Sequence, residues 1–234
     1  MKYMGSKNKV AKFIIPIMLK NHKGSSNFYD LFCGGGNLIE KIPDTFKKFG
    51  NDKNNATILA LKMIRNHLNE IPIHNRLFTK TAYLKCKRDY QKKPNMLNSY
   101  VGFAYSFGAK FYGGWRNSKD NRDYVSESQR SAEKQSILLQ NVILSNLSYE
   151  EVKLEPKSLI YCDIPYRDTT AYTTGIFDYD AFYDWCRNKS KEGYTVFVSE
   201  YEAPEDFKCI WQKEVKCLMD KHGNNRRIEK LFLI

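Results

Sequence analysis

The sequence predicts an α/β protein: a doubly wound sheet with a mainly helical insertion and an antiparallel hairpin at its C-terminal end. Three observations carry that prediction. A strand–glycine turn–helix–strand–acid–helix pattern opens the chain, the grammar of an open sheet covered on both faces. Short apolar strands return after residue 140. Between the two, residues 80–134 are polar, aromatic and basic, so the core divides into 1–79 and 135–234 around an inserted recognition segment.

The elements follow in order. Val10, Phe13, Ile14, Ile17 and Met18 recur at helical spacing, which predicts a helix over 7–20, kinked or ended early by Pro16. Asn27–Phe32 reads as a strand running into Cys33-Gly34-Gly35-Gly36, where the backbone must turn sharply or admit something close. Leu38-Ile39-Glu40 starts a helix. Residues 47–51 form a second strand ending at Asp52. Asn54 or Asn55 then caps a helix with Ile58, Leu61, Arg65 and Leu68 on one side, stopped by Pro72. Later, 142–144, 159–162 and 195–198 read as strands. A helix from Asp180 to Lys191, closed by Gly193, separates the last two, and Phe207–Cys217 pairs with Ile228–Ile234. In the middle, Phe103 and Phe107 are expected to pack in a small core. Lys85, Lys87, Arg88, Lys110, Arg116, Lys119 and Arg122 are expected to meet solvent or phosphate.

Composition narrows the function. With 42% apolar and 27% charged residues, 13 Gly and 7 Pro, the 234-residue chain is neither collagen-like nor wholly disordered. No apolar run approaches the roughly 18 residues of a membrane span, and Phe13–Leu19 is too short and lacks a signal-type cleavage site. Thirty-eight Lys and Arg against 26 Asp and Glu give a net charge of +12, which makes nucleic acid the leading partner. The six cysteines form no C-x-x-C pair and no finger-like spacing with His, so no metal is expected and reduced thiols are.

Two motifs carry chemistry. The glycine turn after Asp30-Leu31-Phe32 lets backbone N–H groups approach an adenosine-type ligand. It is not a dinucleotide fingerprint, because its third small position is Ile39. Asp52, closing the second strand, can bind both hydroxyls of a ribose; a tight structural turn is the alternative. Asp163-Ile164-Pro165-Tyr166 places a carboxylate, a free carbonyl and an aromatic ring at the carboxyl end of a strand, where open sheets bind ligands. An exocyclic amine needs such acceptors and a flipped base needs such a ring, although D-x-P-Y is also a common turn.

Taken together, these residues resemble a Dam-type DNA adenine-N6 methyltransferase, whose cofactor motif precedes the recognition region and whose catalytic motif follows it. Lys2-Tyr3-Met4-Gly5-Ser6-Lys7 resembles the family's opening K-[WY]-x-G-[GS]-K. Asp30-x-Phe32-x-Gly34-x-Gly36 resembles its cofactor loop, Asn51-Asp52-Lys53-Asn54 its ribose turn and Asp163–Tyr166 its D-P-P-Y motif. Asn224–Ile234 resembles its closing basic turn and strand. The resemblance covers 1–70 and 140–234 and implies a Rossmann-like methyltransferase sheet with S-adenosylmethionine as methyl donor.

By resemblance, Tyr3, Lys7, Asp30, Phe32, Gly34, Asp52 and Tyr149 line the cofactor pocket, and Asp163 borders it. Asp163 and the Ile164 carbonyl hold the amine being methylated, Pro165 shapes the turn and Tyr166 stacks on the base. Double-stranded DNA is the implied partner, in the cytoplasm of a bacterial cell or a phage-infected host. Two positions depart from the family pattern. Ile164 replaces a proline, keeping its carbonyl but not its fixed φ, and Ser148 stands where the family often has an acid. Cytosine-N4 methylation is the enzymatic alternative, although its motif usually begins with Ser. A non-catalytic DNA-binding protein on the same scaffold is the other alternative. Cytosine-5 methylation needs a cysteine after proline, and the chain has no Pro-Cys pair.

Overall fold

The central strands are buried along nearly their whole length, and their successive side chains pack on opposite faces of one sheet. The computed structural model describes residues 1–116, 122–166, 177–216 and 226–234. Its helices are α1 (Ala11–Asn21), α2 (Asn55–Asn66), α3 (Lys80–Lys92), α4 (Met96–Ala104), α5 (Tyr124–Leu139) and α6 (Tyr179–Lys191). Its strands are β1 (Asn27–Asp30), β2 (Lys47–Asn51), β3 (Val142–Ser145), β4 (Leu159–Asp163), β5 (Thr195–Glu200), β6 (Lys208–Lys216) and β7 (Arg226–Leu233).

The sheet order is β3-β2-β1-β4-β5-β7-β6. The first five strands are parallel; β7 lies antiparallel between β5 and β6. Phe28, Tyr161, Phe197 and Leu231 face one side with α1, α2 and α3–α5. Their neighbours Tyr29, Cys162, Val198 and Phe232 face the other side with α6. This period of two is what a sheet buried on both faces requires. The chain winds from β1 outward to β3, then crosses back to β4 on the other side of β1. That reversal makes β1/β4 a topological switch point, and the carboxyl ends of these two strands open the crevice where such sheets bind ligands.

Asn54 caps α2 by accepting from the Ala56 N–H. α4 is buried through most of its length and packs on α2, so the inserted helices share one apolar cluster with the first face of the sheet. No helix among the described residues is long and apolar enough to cross a membrane.

Several local expectations need correction. Pro16 does not end α1, which continues to Asn21 with Ile14, Ile15 and Met18 buried around it; tertiary burial outweighs the missing hydrogen bond. Leu38 starts no helix. The segment makes only a 3-10 turn, Ile39–Lys41, and Ile42 is extended ahead of Pro43, as residues before proline prefer. α2 ends at Asn66, so Leu68 belongs to the following 3-10 turn. Phe103 is buried, but Phe107 is 74% exposed at the tip of a tight turn whose Gly108 has φ +62°. The strands expected at the C-terminal end are present as β6 and β7; Cys217, Asn224, Asn225 and Lys119 lie outside the described residues.

Candidate active site

The N-terminal segment joins both chemical motifs. Tyr3 lies on the glycine loop: a Cβ at Gly34 would sit 2.8 Å from the Tyr3 ring, and Gly34 adopts φ +49°. Only glycine meets both demands. Four residues later, with Ser6 capping a 3-10 turn over Lys7–Lys9, the chain delivers Lys7 to the end of β4.

On the loop side, Asp52 accepts from the Gly34 N–H at 2.9 Å through Oδ2 and from the Asn54 N–H at 2.8 Å through Oδ1. Each oxygen retains a lone pair. Burial pushes the Asp52 pKa up to about 6, against the pull of these two N–H groups. Asp30, the last residue of β1, is buried, and its Oδ1 has no hydrogen-bond partner among the described residues. Burial, then the nearby charges of Asp163 and Asp52, raise its pKa well above the ordinary carboxyl value.

Phe32 and Tyr149 pack at 5.7 Å within an aromatic group that includes Phe177 and Phe182. Ser148 caps the turn before Glu151, and its hydroxyl donates to Glu150.

At the other motif, Asp163 Oδ1 is 2.9 Å from the Lys7 ammonium, which is 8% exposed. Lys7 also lies 3.5 Å from Glu229 Oε2 and 4.5 Å from the centre of the Tyr166 ring. Tyr166 donates its hydroxyl to Glu229 at 2.7 Å and meets Tyr201 edge-on at 4.4 Å. Burial raises the Asp163 pKa to about 6; Lys7 opposes the shift and Glu229 adds to it. Ile164 is buried among Phe182, Tyr183 and Cys186, and Tyr179 donates to the Pro165 carbonyl at 2.9 Å.

The structure thus brings Tyr3, Gly34, Asp30 and Asp52 together at the loop. It brings Lys7, Asp163, Pro165 and Tyr166 together at the end of β4. Lys7, expected to line the cofactor pocket, is set against Asp163, and its charge also acts on Asp30. Glu229 and Tyr179 contact these residues too, and the sequence did not single them out. Glu229 stood inside a tail that resembled the family's closing strand, but nothing in its spacing paired it with Tyr166.

The basic residues fall into two groups. Lys85, Lys87 and Arg88 ride on α3, with Lys85 and Arg88 exposed. Lys110, Arg116 and Arg122 lie between α4 and α5, and the Arg116 guanidinium stacks 3.7 Å over the Tyr124 ring. Among the described residues, no group of three or more His, Cys, Asp or Glu is placed to hold a metal ion.

Residues 3–220 match the family model described as D12 class N6 adenine-specific DNA methyltransferase. Among solved structures, the chain is similar to the rRNA methyltransferase AviRa from Streptomyces viridochromogenes, at 12% identity and a TM-score of 0.44, covering 97% of this chain and 84% of that one. It is also similar to SMU.472, described as a candidate methyltransferase complexed with SAH, at 12% identity and a TM-score of 0.39, covering 100% of this chain and 54% of that one. No curated protein sequence matches it.

The raised pKa of Asp163 has a consequence for stability. Between the unfolded value of 3.8 and the folded value of about 6, the folded protein holds a proton that the unfolded chain has released. The stability contributed by this site therefore falls as pH rises through that window. Asp163→Asn removes the titration, so the stability of the variant relative to wild type should rise across the same window. Urea unfolding at several pH values measures this; a difference that stays flat would remove the assignment.

Proposed function

The chain belongs to the D12 class N6 adenine-specific DNA methyltransferase family, and on that premise we propose that the carboxyl ends of β1 and β4 form its active site for double-stranded DNA. The observation that carries this reading is the placement of Asp163 at the carboxyl end of β4, beside β1 at the switch point and near enough for its charge to raise the Asp30 pKa. A structural turn has no need of two buried carboxyls facing one crevice.

The methyl donor is S-adenosylmethionine, which supplies a sulfonium-activated methyl group when bound. The residues present fit such a group. The unpartnered, buried Oδ1 of Asp30 calls for a cation or an N–H donor. Gly34 lets the Tyr3 ring pack against the loop where a Cβ would clash, and Asp52 keeps lone pairs for the two hydroxyls of a ribose. Tyr3, Asp30, Phe32, Gly34, Asp52 and Tyr149 would hold the cofactor, with Asp163 between it and the base.

The target adenine must leave the duplex, at a cost of a few kcal/mol. Asp163 and the carbonyl of Ile164 accept the two N–H groups of its exocyclic amine. Fixing both hydrogens fixes where the nitrogen lone pair points, so catalysis here is mainly orientation and electrostatics. Tyr166 supplies the ring against which the base rests. An acid rather than a serine at position 163 favours adenine over cytosine-N4.

DNA approach is the task of residues 80–134. Lys85, Lys87 and Arg88 on α3, and Lys110, Arg116 and Arg122 beyond α4, provide cations for phosphates. Such contacts position the duplex without reading its sequence.

Three outcomes test this reading. Asp163→Ala should lower methyl transfer on the order of a hundredfold, since a charged acceptor is lost, while DNA binding persists. Label incorporation that remains at the wild-type rate would overturn the site. Asp52→Ala should weaken S-adenosylmethionine binding about tenfold or more; calorimetry showing unchanged affinity would sink the ribose role. Each phosphate contact contributes about 0.9 to the log–log salt slope, so replacing Lys85, Lys87 and Arg88 by Ala should flatten the slope for any DNA. An unaltered slope would leave these residues as a solvated face.

A further inference from the structure

Lys7 stands in both places assigned to the base. Its ammonium is hydrogen-bonded to Asp163 Oδ1 at 2.9 Å, the acceptor assigned to the adenine amine. It also lies 4.5 Å over the ring of Tyr166, the platform assigned to the adenine itself. An ammonium and an exocyclic amine are the same kind of donor, so Lys7 satisfies Asp163 while no base is present. The base cannot enter this arrangement without displacing it. Tyr201 stands 4.4 Å from the same ring and narrows the room for the base elsewhere. Being buried, Lys7 cannot simply withdraw into water; it needs another acceptor close by.

Glu229 offers that acceptor. Its Oε2 is 3.5 Å from the Lys7 ammonium, just beyond hydrogen-bond length, and accepts the Tyr166 hydroxyl at 2.7 Å. It sits on β7, where its neighbours in the ladder are fixed by the β6–β7 register, so it cannot drift away from the lysine. We propose that Glu229 is a positioning residue for methyl transfer: it takes the Lys7 ammonium from Asp163 when the target base enters, while holding the Tyr166 ring in place. The proposal rests on the assignment of Asp163 and Tyr166 made above. A shift of the ammonium by about the difference between 3.5 Å and an ordinary N–H···O length exchanges one partner for the other. That exchange loosens the bond from Lys7 to Asp163, so that the amine can take its place.

The test compares single and double variants, after sequencing of methylated DNA has identified the target adenine. A duplex carrying 2-aminopurine next to that adenine, which keeps its own N6 amine, reports extrusion of the target base by a rise in fluorescence as the neighbour loses its stacking partner. Glu229→Gln keeps an acceptor for the Tyr166 hydroxyl but loses the charge that attracts Lys7. It should reduce kcat/KM for DNA and the fluorescence rise about tenfold, with S-adenosylmethionine affinity unchanged by calorimetry. Glu229→Asp, which keeps the charge, should stay nearer to wild type. The decisive arm is Lys7→Met, which removes the stand-in. In that background, Glu229→Gln should change the fluorescence rise by less than about twofold. If Glu229→Gln is as harmful with Met at position 7 as with Lys, or is harmless in the wild-type background, the handover is overturned. Wild-type protein that leaves adenine unmethylated overturns the site assignment and this proposal with it. Wild-type methylation with uncoupled positions 7 and 229 overturns this proposal alone.

Discussion

A single buried ammonium holds together the end of β4. Asp163 and Glu229 are both largely buried, and placing two carboxylates around one aromatic ring is unfavourable unless a cation stands between them. Lys7 is that cation, 2.9 Å from one and 3.5 Å from the other. Tertiary structure follows from the pairing: the N-terminal segment must cross the loop with Tyr3 before it delivers Lys7, so the glycine loop and the D-I-P-Y turn are tied to each other through the five residues Tyr3–Lys7. A buried pair of this kind contributes little net stability, but breaking it by removing one partner is costly. Its value lies in fixing one arrangement of the site.

The same electrostatics leave the crevice poised for ligands with positive or donor character. Among the described residues Asp30 has no partner for Oδ1, and Asp163 is paired with the Lys7 ammonium. Neither carboxyl is comfortable as a charge, and burial pushes both pKa values up. Asp52 is different. Two backbone N–H groups hold it in one orientation, and both belong to the segments that would frame a ribose. The side proposed for the cofactor thus has one carboxylate oriented by two hydrogen bonds and another with an unsatisfied oxygen among the described residues.

How much of this was legible in the sequence depended on range. Strands, the Asn54 cap and the two motifs are local features, and the sequence displays them within a few residues. The misjudged elements are also local, but they were decided by something farther away. Pro16 stays inside α1 because residues on both sides of it are buried. Leu38–Lys41 fails to extend because Pro43 follows and the glycine loop precedes it. Phe107 looks like a core residue by type, yet the turn at Gly108 points it outward. At the site, Tyr166 and Glu229 are 63 residues apart and meet only because β7 inserts beside β5. No spacing rule announces such a pair.

Ile164 shows how a departure from a motif can be compensated by packing. A proline there would hold φ near −65° at no cost in side-chain entropy. Isoleucine gives up that restriction, and the turn could be expected to loosen. In this fold, however, Ile164 is 2% exposed and belongs to the same buried cluster as Phe182, Tyr183 and Cys186, so its side chain is fixed by apolar burial. One residue on, the Pro165 carbonyl accepts from Tyr179, whose ring is braced edge-on by Phe177 at 5.0 Å. The motif is therefore restrained at two successive residues, by burial at 164 and by a hydrogen bond at 165. Both restraints come from α6 and its approach, so the helix on the second face of the sheet does for this turn what the backbone ring does in the family pattern. The Ile164 carbonyl, proposed above as an amine acceptor, lies in the chain between a buried side chain and a hydrogen-bonded carbonyl.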